Sequence, residues 1–154
     1  MPMSEAVKNY LDKARVDYRI HIADGPTMTA QDAATRLKVP LERIIKSIVF
    51  TTREGSPLVA VLTGDKRVDR TKLSSVAGTK VWIATPEDTR TITGFEVGSM
   101  PPLGHRTRIT TVIDPKVMSS SKVYGGAGRP DALIEIDPRD IARLANAKVA
   151  DICE

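Results

Sequence analysis

At 154 residues the chain has the usual size of one folding unit, and two cores drawn from it would each be marginal, so a single domain over 1–154 is expected. With 41% hydrophobic and 27% charged residues it has a soluble protein's balance, and no stretch approaches the roughly 20 apolar residues of a membrane span, which argues for a cytoplasmic protein. Only 4% of residues are aromatic, which argues against stacking platforms for single-stranded nucleic acid, and the net charge of +4 allows a polyanionic partner without requiring one.

Along the chain, Ser4 can cap a helix whose apolar positions Val7, Tyr10, Leu11 and Ala14 follow helical spacing. Residues 18–22 alternate as a strand does, and Gly25 and Pro26 end it. Thr29, with Asp32 three residues on, reads as a variant capping box for a short helix through Ala33, Ala34 and Leu37 that Pro40 closes. The β-branched run 44–50 predicts a central strand, and the turn at 54–57 returns it as strand 58–62, apolar on both faces and so covered on both.

Asp69 caps a helix through Leu73 and Val76 that Gly78 stops, and 81–84 is a short strand. Thr85, Pro86, Glu87 and Asp88 form a helix start, with Gly94 beyond its end. Residues 95–108 are irregular. Residues 110–115 read as a strand ending in a turn and 132–136 as the last strong strand, with a glycine cluster at 125–128 between them, and Pro138 opens a last helix over 139–145. This alternation predicts an α/β domain built on a mixed, largely antiparallel sheet surrounded by helices.

The candidate chemistry is sparse. His21, His105, Cys153 and the carboxylates have no metal-ligand spacing, so neither a metal nor a cofactor is expected. Cys153 excludes an intrachain disulfide, and its place beside the C-terminus predicts a frayed tail. The glycine cluster at 125–128 lacks a phosphate loop's lysine and reads as a tight turn needing positive φ. Lys46, among apolar strand neighbours, is either an edge lysine with its amine in solvent or a pocket lysine that anchors a carbonyl or phosphate. The stiff segment of Gly98, Ser99, Met100, Pro101 and Pro102 is either a connecting turn or a rigid wall offering backbone donors.

In order, the segments at Thr29, at Lys46, at 65–69, at Gly94 and Phe95, the Gly-x-x-x-Pro loop from Gly98 to Pro102, and 111–114, 126–128 and 133–136 form one pattern. It resembles the YbaK/EbsC family of aminoacyl-tRNA deacylases, related to the editing domain inserted in bacterial prolyl-tRNA synthetases. The resemblance implies a trans-editing hydrolase that removes a small amino acid from mischarged tRNA-Pro or a related tRNA, by ester hydrolysis without metal. It implies as partners the acceptor end of that tRNA and, transiently, a prolyl-tRNA synthetase.

By the same resemblance Lys46 would bind the anionic tRNA end or the substrate carbonyl, and the N–H groups of Gly98 and Ser99 would stabilise the oxyanion. Thr29, Met100, Pro101, Pro102, Gly126, Ala127 and Gly128 would contact substrate. The chain departs from many relatives at Pro101 and Gly126, where they carry serines, at Pro130 and Asp131, where they carry Arg-Gly, and at Leu133, near which they are polar. A more apolar pocket is expected. Two other classes fit the same residues: a non-catalytic module that binds tRNA or a synthetase, and a hydrolase of another small acyl or nucleotide ester.

Overall fold

Residues 3–27, 29–106 and 108–154 are described by a computed structural model. Helix α1 (Met3–Ala14) buries Val7 and Leu11, and Ser4, expected to precede it as the cap, lies inside it. After β1 (Tyr18–Ile22), α2 (Ala30–Leu37) starts where Thr29 Oγ1 accepts the Asp32 N–H at 3.0 Å. It ends at Lys38, in the left-handed region at φ 57°, two residues ahead of Pro40. A 3-10 turn at Leu41–Arg43 feeds β2 (Ile45–Thr52), which turns back as β3 (Pro57–Thr63).

Asp69 caps α3 (Arg70–Ala77) and Gly78 ends it with φ 76°; β4 (Val81–Ile83) follows, then α4 (Pro86–Thr93), capped by Thr85. Next come β5 (Thr110–Ile113), β6 (Val123–Gly126), β7 (Ala132–Ile136), α5 (Pro138–Leu144) and β8 (Lys148–Val149).

The strands form two sheets: β1-β7-β6, all antiparallel, and β4-β2-β3-β5-β8, antiparallel through β3 and parallel beyond it. Among the described residues a parallel bridge between Ile44 and Tyr124 joins them. The central strands are covered on both faces. Val49, Val59, Val61 and Ile113 pack with Val7, Leu11, Ile134 and Ile141, whereas Phe50, Leu58, Ala60 and Leu62 pack with Leu73, Val81 and Ile152. Fully burying such side chains contributes about 1.5–3 kcal/mol each. A third cluster of Ala33, Ala34, Ile44, Tyr124 and Leu133 ties α2 to the junction of the sheets.

Two expectations are corrected. Gly125 and Gly126 are not a turn; they belong to β6, and of the cluster at 125–128 only Gly128 has positive φ, 88°. Their bareness serves a close approach of another segment. Nor is the C-terminus frayed, for Ile152 is 0% exposed and Cys153 1%. Asp69 N–H donates to Ile152 O at 2.8 Å and Glu154 N–H to Arg67 O at 3.0 Å, and Lys72 Nζ donates to Cys153 O at 2.8 Å. The apolar pair 152–153 completes the core face under α3, which outweighs the entropy of a free end.

Candidate active site between the two sheets

Beside β2, β4 pairs only over Phe50–Thr52, and the bridge to β6 lies back at Ile44. Between these points no strand among the described residues pairs with this edge of β2, though the Ala84 N–H still donates to Val49 O at 2.9 Å, and here a cavity of about 440 Å³ opens, within the range of small-molecule sites. One wall is β2 itself, Ile45 to Ile48; another is the start of α2; the rest comes from Val97, Gly98 and Met100 and from Gly126, Ala132 and Leu133 on β6 and β7. Gly64 lets α2 close the top, because a Cβ there would meet the Ala30 Cβ at 2.7 Å.

Lys46 reaches this cavity from a strand paired with β3, and its Nζ donates to the Lys66 carbonyl at 2.5 Å. Burial holds the ammonium's pKa below the usual lysine value. The negative charge of an ionised Cys153 opposes that shift, the Arg67 cation adds to it, and the Asp65 carboxylate opposes it. The result is a half-buried cation with one carbonyl partner.

The Gly-x-x-x-Pro segment divides in two. Gly98, at φ 90°, and Met100 line the cavity. Ser99 is turned inward: its N–H donates to Glu96 O at 3.3 Å, and its own carbonyl accepts the Gly128 N–H at 2.8 Å. Pro101 and Pro102 are buried behind the wall, and the ring Nε2 of His105 donates to the Pro101 carbonyl at 2.7 Å. Burial lowers the pKa of His105, which favours the neutral ring, and one tautomer of that ring supplies this donor.

The structure therefore gathers Thr29, Lys46, Gly98, Met100 and Gly126 around one cavity. Ser99, Pro101, Pro102, Ala127 and Gly128 support the wall without lining it, and Ala127 lies wholly in the core. Sequence reasoning missed Thr27, Gln31, Ser47 and Val97, which also line it. Ser47 was open to detection as the polar residue beside Lys46; Thr27 gave no signal, since its Oγ1 and N–H both donate to Pro130 O across the chain. Ile44, Ile45, Ile48, Met100 and Leu133 supply the apolar part of the lining, and Thr27, Thr29, Gln31, Lys46 and Ser47 the polar part.

No helix among the described residues is long and apolar enough to cross a membrane.

Residues 24–144 match the family model described as the aminoacyl-tRNA editing domain. The chain is 29% identical over 126 residues to an Enterococcus faecalis protein named "Putative Cys-tRNA(Pro)/Cys-tRNA(Cys) deacylase EbsC", covering 81% of this chain and 77% of that one. It is also 29% identical over 132 residues to the proline--tRNA ligase of Brachyspira hyodysenteriae, covering 85% of this chain but only 22% of that much longer enzyme. Among solved structures, one described as "a putative trans-editing enzyme for prolyl tRNA synthetase" superposes with a TM-score of 0.93 at 30% identity, covering 100% of this chain and 98% of the other. A second, described only as a hypothetical protein, gives 0.92 at 33% identity, covering 97% and 99%. On its sequence and its fold, the chain belongs to the aminoacyl-tRNA editing domain family.

Proposed function

We propose that the chain acts in trans on mischarged tRNA, hydrolysing the ester between a small amino acid and the terminal ribose of tRNA-Pro or a related tRNA, without a metal. The observation that carries this reading is the pocket that presents the Lys46 ammonium and the backbone of Gly98 around one cavity of mixed polar and apolar lining. Such an enzyme meets a physical need, since a synthetase pocket separates side chains differing by one methylene by only about 1–3 kcal/mol and a second sieve must reject the rest.

In the proposed reaction Lys46 holds the terminal phosphate or the acyl carbonyl, exchanging the Lys66 carbonyl for the substrate. Water oriented by the substrate's own ribose hydroxyl attacks the acyl carbon, the carbon–oxygen bond to the ribose breaks, and the departing oxygen takes a proton, releasing amino acid and tRNA. Among the described residues the Gly98 N–H has no hydrogen-bond partner, whereas the Ser99 N–H is engaged with Glu96, so Gly98 is the donor proposed for the oxyanion. Ser99 contributes by pinning the loop through its carbonyl. A prolyl-tRNA synthetase is the proposed transient partner and the cytoplasm the proposed compartment.

The test uses the purified chain, dialysed against chelator, with tRNAs carrying alanine, cysteine, serine, threonine or proline. Selective release of one small amino acid is expected, with aminoacyl-adenosine alone a poorer substrate. Binding of tRNA with no release from any member would replace this reading with a non-catalytic module, and equal turnover of the fragment with a hydrolase of small esters.

A further inference from the structure

We infer that Gly126 determines the specificity of this site, because the missing side chain lets the 98–102 loop lie directly on β6 and so sets how wide the pocket is for the acyl side chain. The inference rests on the reading of the pocket as an acyl-ester site. Gly126 stands opposite Leu133 in the β6–β7 pair, and both line the cavity. A Cβ on Gly126 would meet the Met100 carbonyl oxygen at 2.6 Å and the Ser99 carbonyl carbon and oxygen at 2.7 Å. All three are main-chain atoms, so no rotamer change can relieve the contact. Gly126 is absent from the glycines with positive φ, so its requirement is for space and not for an unusual backbone.

The loop cannot lift easily from this seat. Ser99 O is held by the Gly128 N–H at 2.8 Å, and Pro101 O by His105 at 2.7 Å. The Ser99–Met100 peptide that touches Gly126 is flanked by Gly98 and Met100, both in the cavity wall. Any side chain at 126 therefore moves the wall outward as a unit, widening the pocket and carrying Gly98 away from a small substrate. Gly125 differs: its Cβ would meet the side-chain atoms of Ile45 at 3.1 Å and Pro102 at 3.3 Å, and it lies outside the lining.

The experiment compares the full chain with Gly126→Ala and Gly126→Ser on tRNAs carrying alanine, serine, cysteine, threonine and valine, with a thermal melt of each protein. The expected result is a folded variant whose kcat/KM ratio of valine or threonine to the best small substrate rises about tenfold or more, mostly through loss on the small one, the range one methylene commands in a fitted pocket. A ratio unchanged within about twofold, or equal loss on every substrate, overturns the inference while wild-type hydrolysis upholds the parent reading. If the variants fail to fold, wild-type binding of non-hydrolysable 3′-amino-linked aminoacyl-adenosines decides: affinity should fall about tenfold or more as the side chain grows from alanine to valine, and a flat series overturns it. A wild-type chain that neither hydrolyses nor binds any of them overturns both readings.

Discussion

Lys46→Met is expected to lower kcat/KM for deacylation on the order of 10²–10³-fold, the usual loss when one preorganised charge-stabilising donor is removed. The melting temperature should stay within about 3 °C, because one solvent-accessible hydrogen bond is worth only about 1 kcal/mol. The sign of the electrostatic contribution favours this separation. Burial lowers the lysine's folded-state pKa below its ordinary 10.5. The native chain therefore binds fewer protons than the unfolded one between those two values, and stability rises with pH across that window. Below it, at neutral pH, the native state carries the cost of a desolvated ammonium, so removing the charge relieves that cost while the Lys66 carbonyl loses its donor. Parallel kcat/KM measurements and thermal melts check the expectation; equal loss of activity and stability would make Lys46 structural.

The second large effect concerns stability. Ile152→Ala should destabilise the protein by about 2–5 kcal/mol, the range for deleting a buried aliphatic side chain. At about 2–4 °C per kcal/mol for a chain of this size, the melting temperature should fall by roughly 4–20 °C. In the same region the Cys153 thiol is pushed up to about 12, chiefly by burial and further by the charge of Asp114. It should resist iodoacetamide at pH 8 in the native state and react on unfolding. A frayed C-terminus would give the opposite pair of results, rapid alkylation and an unchanged melt.

Why the tail was misread explains how far the sequence is legible. Thr29, Asp69 and Thr85 announce helix starts because each cap acts over three residues, and all three accept the backbone N–H the sequence reading requires. Strands β2 and β3 were legible for a similar reason, since a continuous apolar run needs cover on both faces. The bridge between Val68 and Cys153 joins residues far apart in the chain, and nothing local marks either partner. The β6 glycines were misread because a turn and a close backbone approach demand the same residue.

At the site, Lys46, Gly98 and Met100 were legible through the ordered family pattern, and they do meet in one cavity. Which residues of that pattern face the cavity was not legible. Ser99 sits between two lining residues and points into the protein, because its carbonyl is committed to Gly128. Thr27 joins the lining only through its contact with the distant Pro130, a relation no window of sequence contains.

The central claim is that the inter-sheet pocket receives the aminoacyl-adenosine end of tRNA. Its most direct test is backbone amide NMR of the full chain titrated with non-hydrolysable 3′-amino-linked alanyl-adenosine. Shifts concentrated at Thr29, Lys46, Ser47, Gly98, Gly126 and Leu133 are expected. Shifts confined to a different cavity, such as that beside Tyr10, Leu103 and Leu144, or no shifts at saturating ligand, would contradict the account.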